Sequence, residues 1–159
     1  MRQTSLWLYS LNKSIAALNT DDGNDFLIAQ LKDKKVADGT KKKIVEVLLK
    51  EDHAGEKDVI ELAKSVAKDD KRKDLRYAIA KEMVKNYKSS YDEVAQMYLE
   101  SKDSTTISLG LDMYKQKKSS SLEAYVNTIA NEKKNSANKK RAQKLLGIEE
   151  EEEKKEDAK

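Results

Sequence analysis

The feature that most constrains this chain is a duplication. "SSYDEV" begins at Ser89 and "ESK" at Glu100; "SSLEAY" begins at Ser120 and "NEK" at Asn131, both 31 residues further on. In each copy a serine stands three residues ahead of an acid, Ser89 before Asp92 and Ser120 before Glu123. That is the spacing of a capping box, which ties off free N–H groups at a helix start. Apolar residues then recur at helical period: Tyr91, Val94, Ala95 and Tyr98 in one copy, Leu122, Tyr125, Val126 and Ile129 in the other. Each copy is preceded by another apolar stripe, Leu75, Ala78, Ile79 and Met83 in the first and Ile107, Leu111 and Tyr114 in the second. The repeating unit is therefore two helices divided by a short polar break.

The pattern extends in both directions. Upstream, Ile44, Val45, Val47, Leu48 and Leu49 form one stripe, and Val59, Ile60, Leu62, Ala63, Val66 and Ala67 another. Earlier still, Leu8, Leu11, Ile15 and Leu18 pair with Phe26, Leu27, Ile28 and Leu31 across the turn "NTDDGN". Downstream, "NSANKKRAQKLLG" reads as one more helix ending at Gly147, a glycine placed where helices turn left-handed. The spacing predicts helix pairs over 4–36, 38–70, 72–102 and 104–134 and a closing helix over 136–147. A period near 32 built from two helices is the signature of an α-solenoid, in which stacked neighbours bury stripes that no pair buries alone. The competing reading is a non-repetitive helical bundle.

Composition agrees with an all-helical chain. There is no proline and there are five glycines in 159 residues, so most hairpin and turn chemistry is missing. Apolar and charged residues each make up 38%, which implies a core under a solvated surface and not disorder. No cysteine is present, which excludes disulfides and thiolate chemistry and fits a reducing compartment. No run reaches the roughly 18 apolar residues a membrane span needs. The opening "MRQTSLWLYSLNKSIAALN" is broken by Ser5, Ser10, Asn12, Lys13 and Ser14 and reads as an amphipathic helix, not a signal peptide. The expected location is cytoplasmic.

Two stretches carry a resemblance. "DLRYAIAKEM", Asp74 to Met83, resembles the start of a HEAT-like (armadillo/HEAT-type) repeat: an acid, an apolar residue followed by arginine, then small residues, filled here by Asp74, Leu75, Arg76, Ala78 and Ala80. "KKRAQKLLG" is similar, with Arg141, Ala142, Leu145, Leu146 and Gly147. The first helices at 41–49 and 105–114 lack the acid and the arginine, and the proline frequent in such repeats is absent. The resemblance implies a right-handed solenoid that scaffolds protein or nucleic-acid partners, and no single activity.

Nothing in the sequence gathers catalytic groups. His53, the only histidine, stands in "KEDHAGEKD" and reads as an exposed turn residue; Asp52, Glu56 and Asp58 nearby do not make a metal site with it. There is no phosphate-binding glycine loop and no nucleophile motif. The chain is expected to be non-enzymatic and to need no cofactor. An alkyl-base glycosylase on HEAT-like repeats is the one enzymatic alternative, and it would need an acid and aromatics in one concave pocket. Trp7 reads as a packing residue of the first pair, with exposure as a partner anchor the alternative. Tyr77, Tyr98, Tyr114 and Tyr125 fall on apolar stripes and read as core.

Three surface features remain. The tail Glu149–Lys159 holds seven acids and three lysines; against a whole-chain charge of +3 this leaves residues 1–148 at +7. Such a like-charge block reads as disordered. A basic rim comprises Lys41, Lys42, Lys43, Lys71, Arg72, Lys73, Arg76, Lys139, Lys140 and Arg141, all near the starts of first helices, and offers contacts to a polyanion. The second helices contribute polar positions to a concave face: Glu61, Lys64, Lys68, Gln96, Glu100, Asn127 and Asn131, with Gln96/Asn127 and Glu100/Asn131 spaced 31 apart as a ladder. These observations predict a helical-repeat domain over 1–148 followed by an acidic tail over 149–159. The leading expectation is a protein-binding scaffold using the concave face, and the alternative is nucleic-acid or ribonucleoprotein binding through the rim.

Overall fold

The computed structural model describes residues 10–15, 17–18, 20–50 and 55–148. Trp7, His53 and the acidic tail lie outside the described residues. Every regular element described is helical. Residues 10–15 and 17–18 are helical and are followed by α1 (Asp21–Lys32), α2 (Asp38–Lys50), α3 (Glu56–Val66), α4 (Lys73–Lys85), α5 (Asp92–Leu99), α6 (Ser104–Lys117), α7 (Ser120–Ala130) and α8 (Ala137–Leu146). Single 3₁₀ turns, Asp70–Arg72 and Ser89–Tyr91, lead into α4 and α5. The break predicted at Lys88–Ser90 falls where the chain turns, but Asp21–Asn24 of the expected turn "NTDDGN" are the first turn of α1, capped by Thr20, and the break expected at 51–54 lies outside the described residues.

Several helix starts are fixed by short polar side chains. Thr20 accepts from the Gly23 N–H (3.1 Å), Asp103 from the Thr106 N–H (3.0 Å) and Ser136 from the Lys139 N–H (3.1 Å). The two expected capping boxes are not formed. Ser89 opens a 3₁₀ turn, and α7 begins one residue early, with Ser119 as its N-cap and no side-chain cap bond. Gly147 does close α8, at φ +72 and ψ 23, with its N–H bonded to the Lys144 carbonyl.

The chain falls into two compact units, Met1–Asn86 and Tyr87–Lys159. In the first, α2 packs on α4 and α1 on α3, so first helices lie on first helices and second on second. Leu27, Leu31, Ile44, Val45, Leu48, Val59, Val66, Leu75, Ile79 and Met83 form its interior. The apolar stripe of the first pair is only partly used. Leu18 is 72% and Phe26 44% exposed, while Asn12 is buried and exchanges two amide hydrogen bonds with Gln30 (3.1 and 3.4 Å).

In the second unit α5 packs on α7 and α6 on α8, around Tyr91, Val94, Tyr98, Leu111, Met113, Leu122 and Val126. Its most extensive contacts join α5 to α6 and α7 to α8, across the boundaries drawn from the sequence, and not α6 to α7 within one predicted pair. Gly110 is the reason at the first of these seams. A Cβ there would stand 3.0 Å from the Leu99 backbone nitrogen and 3.1 Å from its side chain, so any larger residue would have to push α6 and Leu99 apart by a few tenths of an ångström.

Candidate functional site

The arginines of the predicted rim are all engaged by the protein's own acids, hydroxyls or carbonyls. Arg76 is 1% exposed. Its Nη1 donates to the carbonyls of Val66 (3.4 Å) and Ala67 (3.1 Å), the last residue and C-cap of α3. The guanidinium also approaches Asp70 (3.6 Å) and lies 5.6 Å from the centre of the Tyr77 ring. A cation at the carbonyl end of a helix satisfies acceptors that have no intrahelical donor and complements the dipole. Arg76 is therefore a capping group of the interior, a correction to its reading as a polyanion contact.

Arg72 grips Asp38 through two bonds, Nε to Oδ2 (3.1 Å) and Nη2 to Oδ1 (2.9 Å). This pair holds Asp38 below the usual carboxylate range and ties the start of α4 to the start of α2. Arg141 donates to the carbonyl and hydroxyl of Ser108 (3.2 Å each) and to Asp112, joining α8 to α6. Asn138 adds bonds to the carbonyl (3.0 Å) and hydroxyl (3.2 Å) of Ser104. The two stretches that resemble one another thus work differently. At the end of α7 it is Gln143, not Arg141, that reaches the carbonyl of the last helical residue, Ala130 (3.2 Å).

Of the rim lysines, Lys41 is buried, Lys42, Lys73 and Lys139 are half-buried, and Lys43, Lys71 and Lys140 are exposed. Lys41 lines a cleft of about 340 Å³ between α1, α2 and α3, together with Leu31, Lys32, Lys34, Asp58, Glu61, Leu62, Ser65 and Arg72. Lys32 and Asp58 are paired across it at 2.9 Å. The cleft thus gathers Glu61 from the second-helix set and Lys41 and Arg72 from the rim set, which the sequence reading kept apart.

The second-helix polar positions fall in both units. Glu61 and Lys68 are exposed and Lys64 half-buried in the first. In the second, Glu100 and Asn131 are the C-caps of α5 and α7, the two neighbouring second helices. Each donates its backbone N–H to the residue four before it, Glu100 to Gln96 and Asn131 to Asn127, both at 3.1 Å. Gln96 and Asn127 are half-buried, Glu100 and Asn131 exposed. The Asn131 amide is used locally, donating to the Asn127 carbonyl (2.8 Å). Among the described residues the side chains of Gln96, Glu100 and Asn127 make no hydrogen bond or ion pair.

A cluster the sequence reading missed lies at the other end of these helices. The Asp92 carboxylate accepts from the hydroxyls of Tyr87, Ser119 (3.2 Å) and Ser121 (3.2 Å), linking α5 to the start of α7. Burial, reinforced by the Asp92 acceptor, pushes the Tyr87 hydroxyl well above its ordinary range. The acid taken for a capping residue is instead a cross-helix tie, and the serine-rich "SSS" facing it was its only signal.

Among the described residues no three His, Cys, Asp or Glu side chains are placed to hold a metal ion, and no helix is long and apolar enough to cross a membrane. Set against models of protein families, curated proteins and solved structures, the chain matches none of them.

Proposed function

We propose that the chain is a non-catalytic protein-interaction module built from HEAT-like helix pairs, with the polar face of its second helices as the docking surface. What supports the repeat reading is the packing of first helix on first helix and second on second within each unit. The observation that carries the docking surface is the unused hydrogen-bonding capacity of Gln96, Glu100 and Asn127 on the neighbouring helices α5 and α7. Five polar groups of this unit, by contrast, serve its own structure: Asp92, Asp103, Ser136, Asn138 and Arg141 all bridge or cap. An amide and a carboxylate presented one turn apart, over a rigid apolar interior, suit a polar, hydrogen-bonding protein surface.

The nucleic-acid alternative is weaker. Arg72, Arg76 and Arg141 are held by acids or backbone carbonyls, so the groups best suited to phosphate forks are occupied. The test is capture from a native extract by the whole chain and by a Glu100→Lys/Asn127→Arg/Asn131→Arg variant, each with and without nuclease. The proposal expects partners that survive nuclease and are lost with the variant, whose melt changes by about 1 kcal/mol or less because Glu100 and Asn131 are exposed and Asn127 is half-buried. Partners that vanish with nuclease and ignore the variant would move the assignment to the lysines.

A further inference from the structure

The cleft between α1, α2 and α3 contains a lysine that no acid among the described residues pairs directly. Lys41 is only 4% exposed, lines the cleft, and makes no hydrogen bond or ion pair among the described residues. Buried ammonium groups are costly unless paired. Burial and the neighbouring Arg72 charge lower the Lys41 pKa, and Asp38 and Asp33 offset this only by attraction at a distance. The other charges facing the cleft do not relieve it. Asp58 is taken by Lys32, and Arg72 is bound to Asp38. What is left is Lys34 and Lys41 against Glu61. Lys41 also belongs to the first turn of α2, where the helix dipole is already positive and disfavours another cation. An anion in the cleft removes all three penalties at once: it pairs the lysine, screens it from Arg72 and meets the dipole.

We infer that this cleft binds a phosphate monoester dianion, with Lys41 as its principal cation and Lys34 as the second. A tetrahedral dianion presents several oxygens and takes bonds from more than one ammonium, which a single carboxylate does less well. Leu31 and Leu62 in the same lining, and a volume well beyond one phosphate, leave room for the organic part. Glu61 is placed to accept from a hydroxyl on that part and disfavours a ligand carrying further negative charge. The inference goes beyond the proposed docking surface and does not depend on it.

The experiment uses the full chain and the Lys41→Met variant, which keeps the apolar stem and removes the charge. Inorganic phosphate and a phosphoserine peptide are titrated separately, with chloride at matched ionic strength as reference, and followed by backbone amide shifts and by melting temperature. The expected result is shifts gathered at residues 32–42 and 58–65, a melting temperature raised by phosphate over chloride, and at least ten-fold weaker binding by Lys41→Met. Tighter binding of the peptide assigns the phosphate to a partner protein; tighter binding of inorganic phosphate assigns it to a free ligand. Equal affinity in the variant, or no difference between phosphate and chloride, overturns the inference. If Lys41→Met does not fold, the wild-type map decides: shifts spread over exposed lysines such as Lys71, Lys102 and Lys140 overturn it, and shifts confined to the cleft sustain it.

Discussion

Replacing Arg76 by alanine separates two accounts of the same residue. In the sequence it belongs to a basic rim; in the structure it closes the end of α3 from the inside. Removing it leaves the Ala67 carbonyl without this donor, at about 1–3 kcal/mol for a buried acceptor left unsatisfied, while the Val66 carbonyl keeps the Asp69 N–H (3.2 Å). It also empties the volume of a fully buried side chain, which adds to the loss. The Asp70 contact adds little, because that carboxylate is 78% exposed. The expected total is about 3–5 kcal/mol, in line with removing one member of a buried polar arrangement. Arg76→Met keeps most of the packing and should recover part of it. Arg72→Ala is the control: its pair with Asp38 is partly exposed on both sides and is worth about 1 kcal/mol or less. Urea unfolding reads the difference, since a loss of about 3 kcal/mol at an m-value of about 1–3 kcal/mol/M moves the midpoint by about 1 M or more. An Arg76→Ala midpoint no lower than that of Arg72→Ala would refute the capping role and return Arg76 to the surface.

Three further outcomes follow from named contacts. Gly110→Leu forces side-chain atoms against the Leu99 backbone and should cost about 1–3 kcal/mol by overpacking, seen as a lower melting temperature; an unchanged melt would mean that α5 and α6 are not held this close. Asp92→Ala leaves the Tyr87, Ser119 and Ser121 hydroxyls without their shared acceptor and should cost about 1–3 kcal/mol in urea unfolding; an unchanged midpoint would refute the tie. The raised Tyr87 pKa means that the native state keeps a proton which the unfolded chain releases above about pH 10. Stability from this group is therefore full below that pH and is lost as pH climbs past it. Tyr87→Phe should flatten the alkaline limb of a stability–pH curve, and an equally steep limb would place the loss elsewhere.

Helix positions were legible in the sequence because apolar period and polar breaks act locally. The stripe Tyr91–Val94–Ala95–Tyr98 is buried as its spacing predicts, and so are Leu122, Val126 and Ile129, but Tyr125 of that stripe and Tyr77, both read as core, are only half-buried. Which helix leans on which was not legible. Contact between α5 and α6 depends on the absent side chain of Gly110, a feature that periodicity does not record. The caps were misread by small shifts: a 3₁₀ turn at Ser89–Tyr91 and an N-cap at Ser119 displace both helix starts from the expected serines. Asp103 and Ser136 carried usable cap signals, each an acid or hydroxyl three residues ahead of the N–H it accepts. The basic rim was read from charge alone, and charge does not tell which arginines turn inward. Only the recurrent spacing of 33 or 34 residues, seen in Arg72–Asp38, Asn138–Ser104 and Arg141–Ser108, marks them as rungs between first helices.

The central claim is that the second helices α5 and α7 present a protein-docking face, and site-specific photocrosslinking tests it most directly. A photoreactive side chain is placed in turn at Glu100, at Asn127 and, as control, at the exposed Lys115 of α6, and the chain is illuminated in a native extract treated with nuclease. The account predicts the same discrete protein adduct from positions 100 and 127 and none from 115. Adducts from 115 alone, or no protein adduct from 100 and 127, would contradict it.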